Sequence, residues 1–239
     1  MYKIYHFKSL TSTQDKAREL AKKGVDNAII LADMQTKGRG RFQRKWHSDK
    51  DGLWMSILLK PKNIQNIQYL TFAAAVSVVK SIKKITKINT NIKWPNDVHH
   101  KGKKLCGILT ENVFGKENYV IVGIGLNVNQ NKFPSDIRNI ATSIKIINNK
   151  KISIKDLANN ITDEFLKTYE NHYNKNQLNN ITKEWKKYCD TIGKKISVVT
   201  KNGILRGKAM GVDENCSLLL KLDNGKIIKV IEGDIKVRY

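Results

Sequence analysis

The sequence predicts an α+β fold: a mixed β-sheet flanked by helices over residues 1–189, then a small five-stranded β barrel over residues 190–239. Three observations carry this. Apolar runs of strand length alternate with stretches of helical periodicity as far as Tyr188. After Cys189 the texture changes to short alternating runs divided by tight turns. Asn-Gly stands in two of those turns, at Asn202-Gly203 and Asn224-Gly225, and is the strongest short-range hairpin signal.

Each element follows from its own stretch. Ser12-Thr13-Gln14 opens a helix: hydroxyl caps come first, Ala17, Leu20 and Ala21 follow at helical spacing, and Gly24 stands where a C-terminal cap is expected. Capping by itself accounts for Ser12 and Thr13, although the same helix start would also hold an anion or a polar ring. Asn27 to Met34 and Gly52 to Lys60 are strands, so the Gly-rich stretch between them is a connecting loop. Ile67 to Ile85 sets Leu70, Ala73, Ala74, Val78 and Ile82 on one helical face, a scaffold element. Asn91 to Val98 is a short strand running into a Pro95-Asn96-Asp97 turn. Lys103 to Glu111 and Tyr119 to Asn129 are further strands, and the glycines of the second permit close approach of backbone or ligand. No helix signal follows Gly123-x-Gly125, which argues against a dinucleotide fold. Phe133 to about Ile147 is a loop with a short helix, and Ile154 to Tyr173 and Leu178 to Tyr188 are amphipathic helices expected to cover a sheet. Strands at 195–200, 204–212, 216–222, 226–231 and 234–238 build the barrel.

Composition narrows the class. Hydrophobic residues at 40% and charged residues at 27% suit a soluble globular protein rather than a disordered chain. The 44 Lys and Arg against 21 Asp and Glu give +23, a charge that attracts nucleic acid, anionic lipid or acidic proteins. The lysines are scattered among Asn and Ile in every segment, with no basic arm, so the excess reads as a solvated coat. Cys106, Cys189 and Cys216 form no C-x-x-C pair, the first ten residues contain no apolar leader core, and no run reaches the length of a membrane span. A reducing cytoplasm is the expected setting.

The chemistry concentrates in Gln35 to Trp46, Gln-Thr-Lys-Gly-Arg-Gly-Arg-Phe-Gln-Arg-Lys-Trp. Gly38 and Gly40 allow positive φ and close backbone approach, Arg39, Arg41 and Arg44 offer guanidinium forks for phosphate or carboxylate, and Trp46 offers a face for a base. An anionic, nucleotide-like ligand fits these parts; an exposed basic turn fits the loop alone equally well. Asp97 at a strand end also reads as an Asx turn, and Lys104 as a solvated edge residue.

The order of these features is more specific than any one of them. Ser-Thr-Gln at a helix start, Gln with Gly-Arg-Gly-Arg, Lys-Trp-Pro-Asn-Asp, Lys-Leu-x-Gly-Ile-Leu-x-Glu, Gly-Ile-Gly-Leu-Asn-Val-Asn and then a small barrel together resemble biotin protein ligase. The resemblance covers nearly the whole chain and is densest from Ser12 to Asn129. It implies a class II synthetase-like catalytic domain, an SH3-like C-terminal barrel, and the short class of the family, because Ser12 lies too near the start to leave room for the DNA-binding repressor domain of longer members. One departure is Gln43, where the family loop has another glycine, and it puts the mobility of the loop in question.

The resemblance also implies a reaction: the biotin carboxylate attacks the α-phosphorus of ATP, and a carrier-protein lysine then attacks biotinyl-5′-AMP. The substrates supply both nucleophiles, which agrees with the lack of a Cys–His or Ser–His arrangement at the motifs. By correspondence, Ser12, Thr13, Gln35, Gly38, Arg39, Gly40, Arg41, Lys104, Gly107 and Gly125 bind biotin, with Gly123 also leaving room for its rings. Arg41, Arg44, Trp46, Lys93 and Asn127 bind ATP and the adenylate, Trp46 as the platform for adenine. Arg39, Arg41, Lys104 and Asp97 carry the catalysis; Asp97 either orients the carrier lysine or helps place Mg²⁺. Loop 36–45 is expected to fold over the adenylate and exclude water. Expected partners are biotin, ATP and a biotin carboxyl carrier domain, with no specific nucleic acid and no membrane; relatives include monomers and dimers, and the edge among strands 104–129 offers a pairing surface. The rivals are a lipoate or octanoate ligase, which needs a long apolar slot in place of a ureido site, and a non-catalytic nucleic-acid binder using the basic coat.

Overall fold

The apolar runs become strands β1 (Lys3–Phe7), β2 (Ala28–Ala32), β3 (Gly52–Leu59), β4 (Asn91–Lys93), β5 (Asp97–His100), β6 (Lys103–Val113) and β7 (Tyr119–Asn127). They form one sheet of order β1-β2-β3-β7-β6-β5-β4, parallel at β1–β2 and antiparallel elsewhere, hence mixed. The computed structural model describes residues 2–115, 117–200 and 203–237. Strand β1 is unheralded in the sequence: five largely exposed residues at the sheet edge, held by parallel pairing of Lys3 with Ala28 through Phe7 with Ala32.

Helices α1 (Thr13–Lys22) and α2 (Gln68–Thr86) lie where periodicity put them, α3 (Ile144–Asn148) is the short helix expected at the end of the 133–147 loop, and α4 (Ile154–Thr168) and α5 (Leu178–Tyr188) again follow periodicity. Ser12 caps α1 by accepting from the Gln14 N–H at 3.2 Å, and Gly24 follows the helix at φ +77°. α1 packs Ala17, Leu20 and Ala21 against Ile30, Leu58 and Ile121 on one face of the sheet. α2 covers the other face and is buried on nearly every side. α4 and α5 lie over the same face, α4 against α2 and β3, and α5 stacking Trp185 on Phe72 of α2, centroids 4.0 Å apart. A helix buried on nearly every side must be covered on both, and α4 and α5 supply the outer layer.

The C-terminal strands β8 (Lys195–Thr200), β9 (Gly203–Val212), β10 (Leu218–Leu222), β11 (Ile227–Val230) and β12 (Asp234–Val237) form an antiparallel sheet of order β11-β10-β9-β8-β12. Five antiparallel strands stand where the barrel was expected, and among the described residues no ladder joins β11 to β12 to close it. The turn expected at Lys201-Asn202 and the end of the last strand at Arg238 lie outside the described residues. This sheet shares the main core: the Trp94 indole N–H donates to the Cys216 carbonyl at 2.9 Å and the Tyr69 hydroxyl to the Glu214 carbonyl at 2.7 Å. Among the described residues no helix is long and apolar enough to cross a membrane.

At the joint between the two sheets, Asp190 receives His99 Nε2 and Lys194 Nζ, each at 3.0 Å. Burial pushes the Asp190 carboxyl up, but His99 and Lys194 outweigh it and the net direction is below 3.8. A depressed carboxyl contributes stability that is present above its unfolded pKa and lost as pH falls through the folded one. Asp190→Asn is therefore expected to lower the unfolding free energy at pH 7 by about 1–3 kcal/mol. Urea denaturation from pH 7 downward should show the difference from wild type closing only below about pH 4; a constant difference would mean that Asp190 acts without its charge.

Candidate active site

The floor of the cavity on which the motifs converge is bare backbone. Gly107 of β6 faces Gly125 of β7 across the ladder, and two residues along, Leu109 faces Gly123, which faces Ser56 of β3. Side chains of the chain itself lie on these glycines. A Cβ on Gly125 would stand 2.4 Å from the Trp46 indole nitrogen, one on Gly107 3.1 Å from the Trp46 ring, and one on Gly123 3.0 Å from the Gln14 amide carbon. Above the floor is a cavity of about 280 Å³, walled by the start of α1, the 35–47 loop, β6, β7 and Phe133, Ile137, Ile140 and Ala141.

One end is polar and nearly dry. The Thr13 N–H and hydroxyl donate to Gln35 Oε1 at 2.8 and 3.1 Å, and Gln35 Nε2 donates to Ser48 Oγ at 2.8 Å. Ser56 Oγ lies 2.8 Å from Thr13 Oγ1 and 3.1 Å from Gln14 Oε1. Gln35 thus ties the helix start to the loop. Gly38 follows for a steric reason, since a Cβ there would lie 2.4 Å from Ser48 Oγ and 2.6 Å from the Trp46 carbonyl.

The other end is cationic: Arg41, Arg44, Lys45 and Lys104 line the cavity there beside two carboxylates, Asp97 and Asp234, while Arg39 lines it on the α1 side, 3.4 Å from Ser12 Oγ. Arg39 is held by Asp15 at 2.7 Å and Glu111 at 3.1 Å and is only 16% exposed. Burial pulls its pKa down, but Glu111 and Asp15 more than restore it, and the net direction is up. Arg41 donates to Asn96 Oδ1 at 3.2 Å and to the Gly233 carbonyl at 3.4 Å; burial lowers its pKa against the pull of Asp234, Asp97 and Glu232. Arg44 pairs with Asp234 of β12. Lys104 Nζ lies 2.7 Å from Asp97 Oδ1, an ion pair without the angle of a directed hydrogen bond, and 5.1 Å from the centre of the Trp46 ring.

The structure brings most of the expected residues to one cavity: Ser12, Thr13, Gln35, Arg39, Gly40, Arg41, Arg44, Trp46, Asp97, Lys104, Gly107, Gly123, Gly125 and Asn127 all line it. Lys93 does not; its ammonium donates to the Ile235 carbonyl at 3.2 Å, between the two sheets. Gly38 supports the wall from behind. The positive φ values expected at Gly38 and Gly40 fall instead on Phe42 (56°) and Gln43 (58°), with Gly40 at −106°. Gln43, the departure from the family loop, therefore stands in the left-handed region that favours glycine. The room expected above Gly107 and Gly125 is covered by Trp46. Asn127 donates from Nδ2 to the Thr142 carbonyl at 3.0 Å.

Sequence reasoning missed Gln14, Asn96, Phe133, Ile140 and Asp234 as lining residues. Gln14 and Asn96 were visible inside the motifs; Asp234 carries no local signal, because only docking of β12 brings it to Arg44. The Arg44–Asp234 pair is half open to solvent and contributes little to global stability, at most about 1 kcal/mol. Asp234→Asn should leave thermal stability nearly unchanged while trypsin cuts faster between Arg39 and Lys45. Equal cleavage rates would show that the pair does not restrain the loop.

Residues 6–129 match the Biotin/lipoate A/B protein ligase family, and residues 191–238 match the Biotin protein ligase C terminal domain. The chain is 41% identical over 241 residues to the bifunctional ligase/repressor BirA of Bacillus subtilis, an alignment covering 98% of this chain and 73% of that protein. It is 28% identical over 228 residues to the biotin–[acetyl-CoA-carboxylase] ligase of Mycobacterium tuberculosis, covering 92% of this chain and 82% of the relative. The solved structure of Aquifex aeolicus biotin protein ligase in complex with biotin and ATP superposes with a TM-score of 0.83 at 30% identity, covering 100% of this chain and 99% of that one. With the catalytic-family match, the C-terminal match and this likeness over nearly its whole length, the chain belongs to the Biotin/lipoate A/B protein ligase family.

Proposed function

We propose that this chain activates biotin with ATP to biotinyl-5′-AMP, releasing pyrophosphate, and transfers the biotinyl group to a lysine of a carboxyl-carrier domain, releasing AMP. The observation that carries the reading is the cavity's division into a polar, nearly dry end and a cationic end across one glycine floor. The ring system and ureido group belong at the Ser12, Thr13, Gln35 end, and the carboxylate and phosphates at the Arg41, Arg44, Lys104 end. Biotin, ATP and the carrier domain are the substrates; the division at residues 189 and 190 separates the catalytic part from a C-terminal part that lends Asp234 to the site.

Activation brings two anions together, and charge grows on phosphate oxygens. Preorganised cations stabilise that charge best where water is scarce. Arg41 is fixed by Asn96 and Gly233 and desolvated by burial, so its charge is aimed before substrate binds. Arg44 and Lys104 hold carboxylates of the chain, with which phosphate oxygens would compete. Mg²⁺ typically enters such sites with the nucleotide, using one or two carboxylates plus phosphate oxygens. Asp97 and Asp234 are the lining carboxylates, and among the described residues no cluster of three metal-ligating side chains exists. Asp97 also serves the second step, in which the carrier amine must lose a proton as the amide forms. Trp46, flat on the floor beside Lys104, offers its ring to adenine. The free cysteines suit a cytoplasmic setting. The pairing edge expected among strands 104–129 is not an edge: β6 lies between β5 and β7, and β7 between β6 and β3, so a second copy would have to pair at β1 or β4.

Biotin-dependent exchange of labelled pyrophosphate into ATP, with Mg²⁺ and with lipoate and octanoate in parallel, tests the first half-reaction. Exchange with biotin alone is expected, and Lys104→Ala should lower its rate roughly 10²–10³-fold. Exchange with lipoate instead would move the assignment to the sister activity. For the second half-reaction, preformed biotinyl-5′-AMP and carrier are mixed with Asp97→Asn, and transfer is expected to slow by about 10²-fold or more. Unchanged rates in both half-reactions would remove Asp97 from the mechanism.

A further inference from the structure

The Lys104-to-Glu111 motif ends in a carboxylate to which neither the resemblance nor the proposed chemistry gives a role. Glu111 lies on the α1 side of β6, in register with Ile121. Its Oε2 accepts from Gln14 Nε2 at 3.0 Å, Arg39 at 3.1 Å and Arg18 at 3.3 Å. One oxygen thus joins β6, the first turns of α1 and the cationic loop, in a setting where Glu111 is only 21% exposed.

We propose that Glu111 is a positioning residue that sets which end of the Gln14 amide the cavity meets, and so selects a ligand bearing N–H donors. This rests on the biotin reading and deepens it. The two hydrogens of Gln14 Nε2 are both spent, one on Glu111 and one on the Leu109 carbonyl at 3.1 Å. An ionised carboxylate only accepts, so the flipped amide would set oxygen against oxygen. Gln14 therefore keeps Oε1 toward Ser56 and offers only an acceptor.

Two arms meet at Ser56, whose hydroxyl donates its single proton toward Thr13 Oγ1 or Gln14 Oε1; one arm continues from Gln14 to Glu111, the other from Thr13 to Gln35 and from Gln35 to Ser48. Glu111 fixes the direction of the first arm only. A ureido N–H donor meets an acceptor oxygen at Gln14. The same carboxylate holds Arg39 against Asp15, keeping that guanidinium on the α1 side of the cavity.

Glu111→Gln is the direct test, because it keeps the shape while admitting either amide orientation at residue 14. The readouts are biotin binding by calorimetry without ATP, KM for biotin and for ATP in pyrophosphate exchange, and discrimination against a biotin analogue methylated on one ureido nitrogen. Biotin Kd and KM are expected to rise about tenfold or more, with the ATP KM within about twofold, as for a lost charge-assisted hydrogen bond. The preference for biotin over the methylated analogue should fall with them. Gln14→Leu should reproduce the lost discrimination, and the double variant should be no worse than either single one. Unchanged biotin affinity and discrimination in Glu111→Gln, or a fall in melting temperature and kcat alone, would overturn the positioning role and leave the ligase reading standing. If the wild-type protein does not bind biotin, the ligase reading fails and this inference with it.

Discussion

Confining like charges is the constraint on which the site depends. Five cationic side chains border a cavity of about 280 Å³, and like charges in a partly dry space repel one another, as Arg44 disfavours the charged form of Arg41. The chain meets this by giving most of them an acceptor from a different element: Arg39 takes Asp15 from α1 and Glu111 from β6, Arg41 takes Asn96 and a β12-flanking carbonyl, Arg44 takes Asp234, Lys104 takes Asp97. A loop rich in arginine is thereby held in place by acceptors from α1, β6, the turn at Asn96 and the start of β12. Those partners are also what an anionic substrate must compete with, so affinity is a difference between two sets of ion pairs.

The second requirement is access to backbone. Glycines at 107, 123 and 125 lie on adjacent strands and strip the sheet of side chains where Trp46 and Gln14 lie down. On the opposite face the same strands carry Ile108, Val122 and Ile124 into the core with α2. The period-2 alternation of a strand thus divides β6 and β7 into a core face and a site face. Substituting a glycine with alanine would press on an indole or an amide that already belongs to the site, so floor and lining are coupled.

The C-terminal sheet is part of this arrangement. Trp94 and Tyr69 anchor it through hydrogen bonds to the 214–216 turn, and its first and last strands flank the joint where Asp190 gathers His99 and Lys194. That anchoring brings Gly233 and Asp234 over the loop. A sheet that shares the core transmits position to the site more faithfully than one tethered by a linker.

Local chemistry was legible in the order of residues. Capping at Ser12, the strand–loop–strand around the arginines, the glycine-bearing strand 119–127 and the hairpin texture after Cys189 each follow from a period or a turn residue, and the family resemblance follows from their sequence. What remained hidden depends on contacts between residues far apart in the chain. The edge strand β1 exists only because β2 offers it a parallel partner; Lys93 turns to Ile235, away from the cavity; the left-handed backbone falls at Phe42 and Gln43 where glycine composition pointed to 38 and 40; Asp234 meets Arg44 across nearly the whole chain length. The sequence by itself determined which groups are cationic, which positions lack a side chain and where elements begin, because those properties belong to single residues and their near neighbours. The tertiary structure alone decided which carboxylate each cation holds and what lies on each glycine, because an ion pair or a van der Waals contact is set by distance in space.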